Sequence, residues 1–173
     1  MVDRKSRTLK ARLIIKSVVA NMTSVQYKKE LLYRKANGKK VIESYLSKIN
    51  SLIYCDIIDL FFIPLECTDD ILKKSLVDEE NSVKRKIEPQ LLSEFIGKIK
   101  NYDSGYYVFI DDDWQYCGTF IIPSLNMLKE DFVFGGKIIN NILLISESFT
   151  KYIDLDYYEI NGKYYLDVTE SMA

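Results

Sequence analysis

Asn161-Gly162 constrains this 173-residue chain more than any other pair of residues in it. Both central residues of a two-residue hairpin turn need positive φ, which Asn and Gly supply most readily. Here the pair is flanked by two runs of β-branched and aromatic residues, KYIDLDYYEI and KYYLDVT. The turn sets the register. Pairing Ile160 with Lys163 opposes Tyr158 to Tyr165 and Asp156 to Asp167, with Asp154 and Tyr152 further along the same face. The other face carries Ile153, Leu155, Tyr157, Tyr164, Leu166 and Val168 and reads as core. Like charges directly across a strand pair are destabilising, so Asp156 against Asp167 calls for a cationic or metal partner.

The length fits one domain, 1–173, with room for a genuine core. Hydrophobic content of 47% with only three prolines argues against disorder. There is no histidine, which removes the commonest general base, the commonest zinc ligand and every Ser-His or Cys-His nucleophile. Cys55, Cys67 and Cys117 are too few and too widely spaced for a zinc cage and read as small hydrophobes in a reducing compartment. Lys16 and Ser17 break the apolar run that follows the basic N-terminus, and no small-residue cleavage site closes it, which argues against a secretory signal. The stretch from Leu52 to Leu65 contains Asp56 and Asp59 and is too short to span a bilayer. The expectation is a cytoplasmic protein with no membrane partner.

Charge is polarised along the chain. Residues 1–50 hold 13 Lys/Arg against 3 Asp/Glu, whereas residues 101–173 hold 4 against 12. Such asymmetry suggests a nucleic-acid contact at the basic end or a basic protein partner at the acidic end; it also fits two ends that neutralise each other within the fold.

Leu9, Leu13, Ile14, Val18 and Met22 recur at helical spacing among basic residues and predict an amphipathic helix. Thr23 with Gln26 forms a capping box for a second helix, stopped at Asn37-Gly38, after which Ile42, Tyr45, Leu46 and Ile49 resume the period. The segment 53–65 reads equally as buried strand or helix. Thr68-Asp69-Asp70 predicts a helix N-terminus, and residues 78–86 an exposed loop with a solvated Lys84-Arg85-Lys86 triplet. Pro89 opens a helix with Leu91, Leu92, Phe95, Ile96 and Ile99 on one face. Strands are predicted at 106–111 and 114–122, a helical turn within 124–129, and a strand ending near residue 146, before the final hairpin. Helices first and strands second give an α+β fold, with a mainly helical half, 1–100, packed on one face of an antiparallel sheet of about five strands in a β-meander half, 101–173.

Two groups of residues form the candidate partner-binding surface. Tyr152, Asp154, Asp156, Tyr158, Tyr165 and Asp167 share one hairpin face, and Asp111, Asp112, Asp113 and Trp114 lie in a turn that could join them. Carboxylates accept bidentate hydrogen bonds from arginine, and Tyr and Trp are common interface anchors. Two other readings exist. Asp154, Asp156 and Asp167 could hold Mg²⁺ for a metal-dependent phosphodiesterase or nuclease, although residues at i and i+2 on one strand face stand about 7 Å apart. The basic N-terminal half could line phosphates, although no nucleic-acid-binding motif is present and the pI of 5.6 points away from that role. No Gly-rich phosphate loop, GxSxG or GxGxxG occurs, and neither a cofactor nor a small-molecule ligand is expected.

The stretch YYVFIDDDWQYCG, residues 106–118, together with the hairpin at 151–168, resembles the immunity proteins of bacterial contact-dependent growth inhibition and related polymorphic toxin systems. The resemblance implies a non-enzymatic, high-affinity inhibitor that occludes the active site of a cognate toxin, often a nuclease with a basic, phosphate-binding cleft. An acidic surface with aromatics would mimic the phosphates and bases such a cleft grips.

Overall fold

The computed structural model describes residues 23–75, 82–102, 104–135 and 138–172. The helix expected over Leu9–Met22 lies outside them. The first element is α1, Ser24–Leu52. Its start is the expected capping box: Gln26 N donates to Thr23 Oγ1 at 3.3 Å and Thr23 N to Gln26 Oε1 at 2.9 Å. The stop expected at Asn37-Gly38 does not occur. The helix runs on because its buried stripe, Leu31, Arg34, Gly38, Tyr45, Ile49 and Leu52, continues across the pair. Gly38 serves proximity here, since a Cβ at that position would stand 2.5 Å from the carbonyl oxygen of Tyr116.

The ambiguous segment after α1 is neither one strand nor one helix. It forms a 3₁₀ turn at Ile57–Asp59 and a short strand β1, Phe61–Ile63. Helix α2, Leu65–Lys74, starts after Pro64 and not at Thr68-Asp69-Asp70. The reason is tertiary. The Thr68 hydroxyl donates to Pro64 O at 3.0 Å and accepts from Thr119 N at 3.1 Å, while Asp69 turns inward to Arg34. Residues 82–86, expected as part of an exposed loop, belong to strand β2, Ser82–Ile87. A 3₁₀ turn at Pro89–Leu91 then leads into α3, Leu92–Ile99, which buries Leu92, Phe95, Ile96 and Ile99 as its period requires.

Strand β3 is Tyr106–Ile110. The strand expected over 114–122 divides into a helical turn α4, Trp114–Cys117, and β4, Thr119–Ile122, separated by Gly118 at φ 82. A 3₁₀ turn at Leu125–Met127 precedes β5, Asn141–Ser146, and the hairpin strands are β6, Lys151–Ile160, and β7, Lys163–Met172.

All seven strands join one antiparallel sheet in the order β1-β4-β3-β5-β6-β7-β2. The fold is α+β, but with seven strands where about five were expected. The two additional strands come from the half expected to be helical, and they form the two edges. Short β1 and the Lys84-Arg85-Lys86 triplet of β2 are both features that discourage edge-to-edge association.

Helices contact both faces, not one. Tyr45, Ile49 and Leu52 of α1 and Phe95, Ile96 and Ile99 of α3 pack on Tyr106, Val108, Ile110, Ile142, Leu144, Ile153, Leu155, Leu166 and Val168. On the opposite face a smaller cluster joins Ile71 of α2 and Trp114 of α4 to Phe109, Leu143 and Ile145. Among the described residues, that second cluster lies over β1, β4, β3 and β5 and meets β6 at Tyr152. Beyond it, towards β6, β7 and β2, lies the tyrosine and aspartate surface.

Candidate functional site

Asn161 at φ 53 and Gly162 at φ 77 make the two-residue turn, and the hairpin takes the register that this turn dictates. Tyr158 stands opposite Tyr165 and Asp156 opposite Asp167. Tyr152, Asp154, Asp156, Tyr158, Tyr165 and Asp167 are all half-buried on one face, and Ile153, Leu155, Leu166 and Val168 are buried on the other.

The neighbouring strands complete two transverse rows. Lys86 of β2 pairs with Asp167, and Asn141 of β5 pairs with Asp156, giving Lys86-Asp167-Asp156-Asn141 across four strands. The next row is Lys84-Thr169-Asp154-Leu143. The chain itself thus brings a cation, Lys86, to the end of the row that holds the opposed aspartates. The Lys86 ammonium lies 4.5 Å from the centre of the Tyr165 ring and 5.4 Å from that of Tyr158. These rings stack at 5.6 Å with 25° between their planes. Tyr158 Oη donates to both Asp167 oxygens, at 3.1 and 3.2 Å. Asn141 Nδ2 donates to Asp154 Oδ1 at 2.9 Å and to Leu155 O at 3.0 Å, holding that carboxylate in place.

The electrostatics follow from these contacts. A hydrogen bond with Tyr158, reinforced by the fields of Tyr158 and Asp167, raises the Lys86 ammonium above the ordinary lysine range. Burial raises the Tyr158 phenol, and Lys86 opposes that rise. The surface is mixed in charge: an acidic row bordered on the β2 side by exposed Lys84 and Lys86. A shallow depression of about 200 Å³ beside it is lined by Lys84, Arg85, Lys86, Asp167 and Thr169.

The turn residues expected to extend this surface are mostly committed to the fold. Lys48 reaches from α1 to Asp111 at 2.5 Å and Asp113 at 2.6 Å, an instance of the basic half neutralising the acidic half internally. Asp111, at φ 48, also accepts from the backbone N–H groups of Asn140 and Asn141 at 2.7 and 2.9 Å. Trp114 is 3% exposed and meets Phe109 edge-on at 5.7 Å. Asp112 is exposed and accepts from Gln115 Nε2 at 3.0 Å. Asn141 links the two groups, with its backbone on Asp111 and its side chain on Asp154. Tyr152, at the far end of β6, packs against the Phe109, Leu143 and Ile145 cluster.

Lys84 and Lys86 are the site residues that sequence reasoning missed. Apolar residues occur in SVKRKI only at Val83 and Ile87, so no two-residue alternation marks a strand. Among the described residues, no three or more Asp, Glu, Cys or His side chains are grouped so as to hold a metal ion, and Asp154, Asp156 and Asp167 do not converge on one. Nor is any described helix long and apolar enough to cross a membrane.

No protein-family model matches the chain, and neither curated proteins nor solved structures give a match. The functional reading therefore rests on the geometry of this face.

Proposed function

We propose that this chain is a non-enzymatic binding protein that acts in the cytoplasm as an immunity protein, neutralising a cognate nuclease-type toxin by occluding its basic active-site cleft. The observation that supports the reading is the in-register array of half-buried Tyr158, Tyr165, Asp154, Asp156 and Asp167 on a part of the sheet that no described helix covers. Its carboxylates and rigid aromatic rings suit a protein surface rich in arginine. A broad, shallow face favours occlusion of a partner over turnover of a small substrate.

Charge complementarity across such an interface speeds association and makes it sensitive to salt. The test is co-expression with a candidate toxin, sought as the C-terminal domain of a large secreted protein in the neighbouring genes. The wild type is expected to form a complex and restore growth. Replacing Asp154, Asp156 and Asp167 together by Ser is expected to weaken the complex by several kcal/mol where these charges are buried against arginine. Undiminished affinity in the triple variant overturns the surface assignment, and failure of the wild type to bind or protect overturns the function.

A further inference from the structure

Lys86 is an exposed residue on an edge strand, yet its ammonium is seated over two stacked tyrosine rings beside the opposed Asp156 and Asp167. Ring faces attract cations through their negative quadrupole, and carboxylates beside them add to that attraction. The seat thus selects positive charge by its construction, and the chain's own lysine demonstrates the selection. A guanidinium fits it better than an ammonium does. It is planar, stacks on aromatic faces, and presents paired donors to a carboxylate, whereas an ammonium is a compact, strongly hydrated point charge.

We propose that Lys86 is a stand-in, and that the seat formed by Tyr158, Tyr165 and Asp167 receives an arginine side chain of the protein partner, which displaces it. This rests on the reading of the face as a protein-binding surface and names the chemistry that the face recognises. Displacement is easy because Lys86 is exposed and lies on the last strand of the sheet, so its side chain can swing outward without disturbing the core. Until the partner arrives, Lys86 occupies the rings of Tyr158 and Tyr165 beside Asp167 and competes with stray cations there.

The test uses a blocked tetra-arginine peptide as probe, titrated into the full chain while NMR follows the ring signals of Tyr158 and Tyr165. The peptide is expected to shift both rings, and a tetra-lysine peptide is expected to bind more weakly. Lys86→Ala should tighten tetra-arginine binding about two- to five-fold, the worth of one exposed cation–π contact. Lys86→Gln should do the same, and Lys86→Arg, which keeps a cation in the seat, should not. An unchanged amide spectrum elsewhere verifies that the variants are folded. Weaker or unchanged binding in Lys86→Ala and Lys86→Gln overturns the displacement. If the peptide still shifts the face in those variants, the binding surface stands and only the stand-in falls; if it shifts no signal on the face even in the wild type, both fall.

Discussion

Arg34 and Asp69 face each other through two parallel hydrogen bonds, Nη1 to Oδ2 at 2.8 Å and Nη2 to Oδ1 at 3.0 Å. Arg34 is 6% exposed and Asp69 1%. Tyr27 Oη donates to the same carboxylate at 2.8 Å, and Arg34 Nε donates to Gln115 O, so one guanidinium joins α1 to both α2 and α4. Removing one partner of a buried pair leaves the other charged and unpaired. Asp69→Ala is therefore expected to lose about 3–5 kcal/mol in urea denaturation. Replacing both residues by apolar ones of similar size, Arg34→Met with Asp69→Leu, should recover much of that loss.

Gly38 and Gly97 both lie within helices, and alanine should act on them with opposite sign. At Gly97 nothing lies within 4 Å of an added Cβ, so Gly97→Ala should stabilise by about 0.5–1 kcal/mol. At Gly38 the added atom meets the Tyr116 carbonyl oxygen at 2.5 Å, and α1 must separate from α4 to admit it. Gly38→Ala should cost about 1–3 kcal/mol, as overpacking does. Thermal unfolding of the two variants beside the wild type checks both signs.

Tyr106 is fully buried, and among the described residues its hydroxyl has no hydrogen-bond partner. Burying a polar group without a partner costs about 1–3 kcal/mol. Tyr106→Phe removes the hydroxyl and keeps the ring, so it should raise the denaturation midpoint. A lowered midpoint would show that the hydroxyl contributes favourably to the fold.

Stability should fall in alkali. Burial pushes the Cys117 thiol up to about 11 from its ordinary 9.0, Tyr106 up to about 12 from 10.0, and Tyr45 upward as well. For Lys48, burial pulls the ammonium down, but hydrogen bonds with Asp111 and Asp113 outweigh it and hold it above the ordinary range. Each of these groups keeps its proton more tightly in the folded chain. Their stabilisation is complete below the unfolded pKa and is lost as pH rises through the folded one. Denaturation midpoints should decline from about pH 9 upward, and Cys117→Ala should flatten the part between 9 and 11.

What the sequence disclosed was local. The Asn161-Gly162 turn needs positive φ whatever surrounds it, so the hairpin register and the Asp156 and Asp167 opposition were legible from it. The capping box and the apolar period from Leu92 to Ile99 were legible for the same reason, whereas Leu91, expected on that buried face, is 45% exposed in the preceding 3₁₀ turn. Asn37-Gly38 misled because its stop signal is outweighed by the packing of α1 on α4. Thr68 misled because its hydroxyl satisfies Thr119 in place of a helix terminus. At the site, the demand for a cation was legible, but its source was not: Lys86 lies 81 positions before Asp167 and sits in a strand with no alternating pattern. Likewise Asp111 and Asp113 looked like surface acids until Lys48 came to them across the fold.

The placement of β1 and β2 at opposite edges has a consequence for how the chain can be divided. Five consecutive strands from residue 106 onward are clasped on either side by strands made earlier in the chain, so a cut near residue 103 would separate neither a finished sheet nor a self-sufficient helical piece. Two such fragments would each carry half of a mutual template, with Phe61–Ile63 and Ser82–Ile87 seeking Thr119–Ile122 and Lys163–Met172. The chain has the wiring of a split reporter: only reassembly of the halves would bring Lys86 back over the rings of Tyr158 and Tyr165.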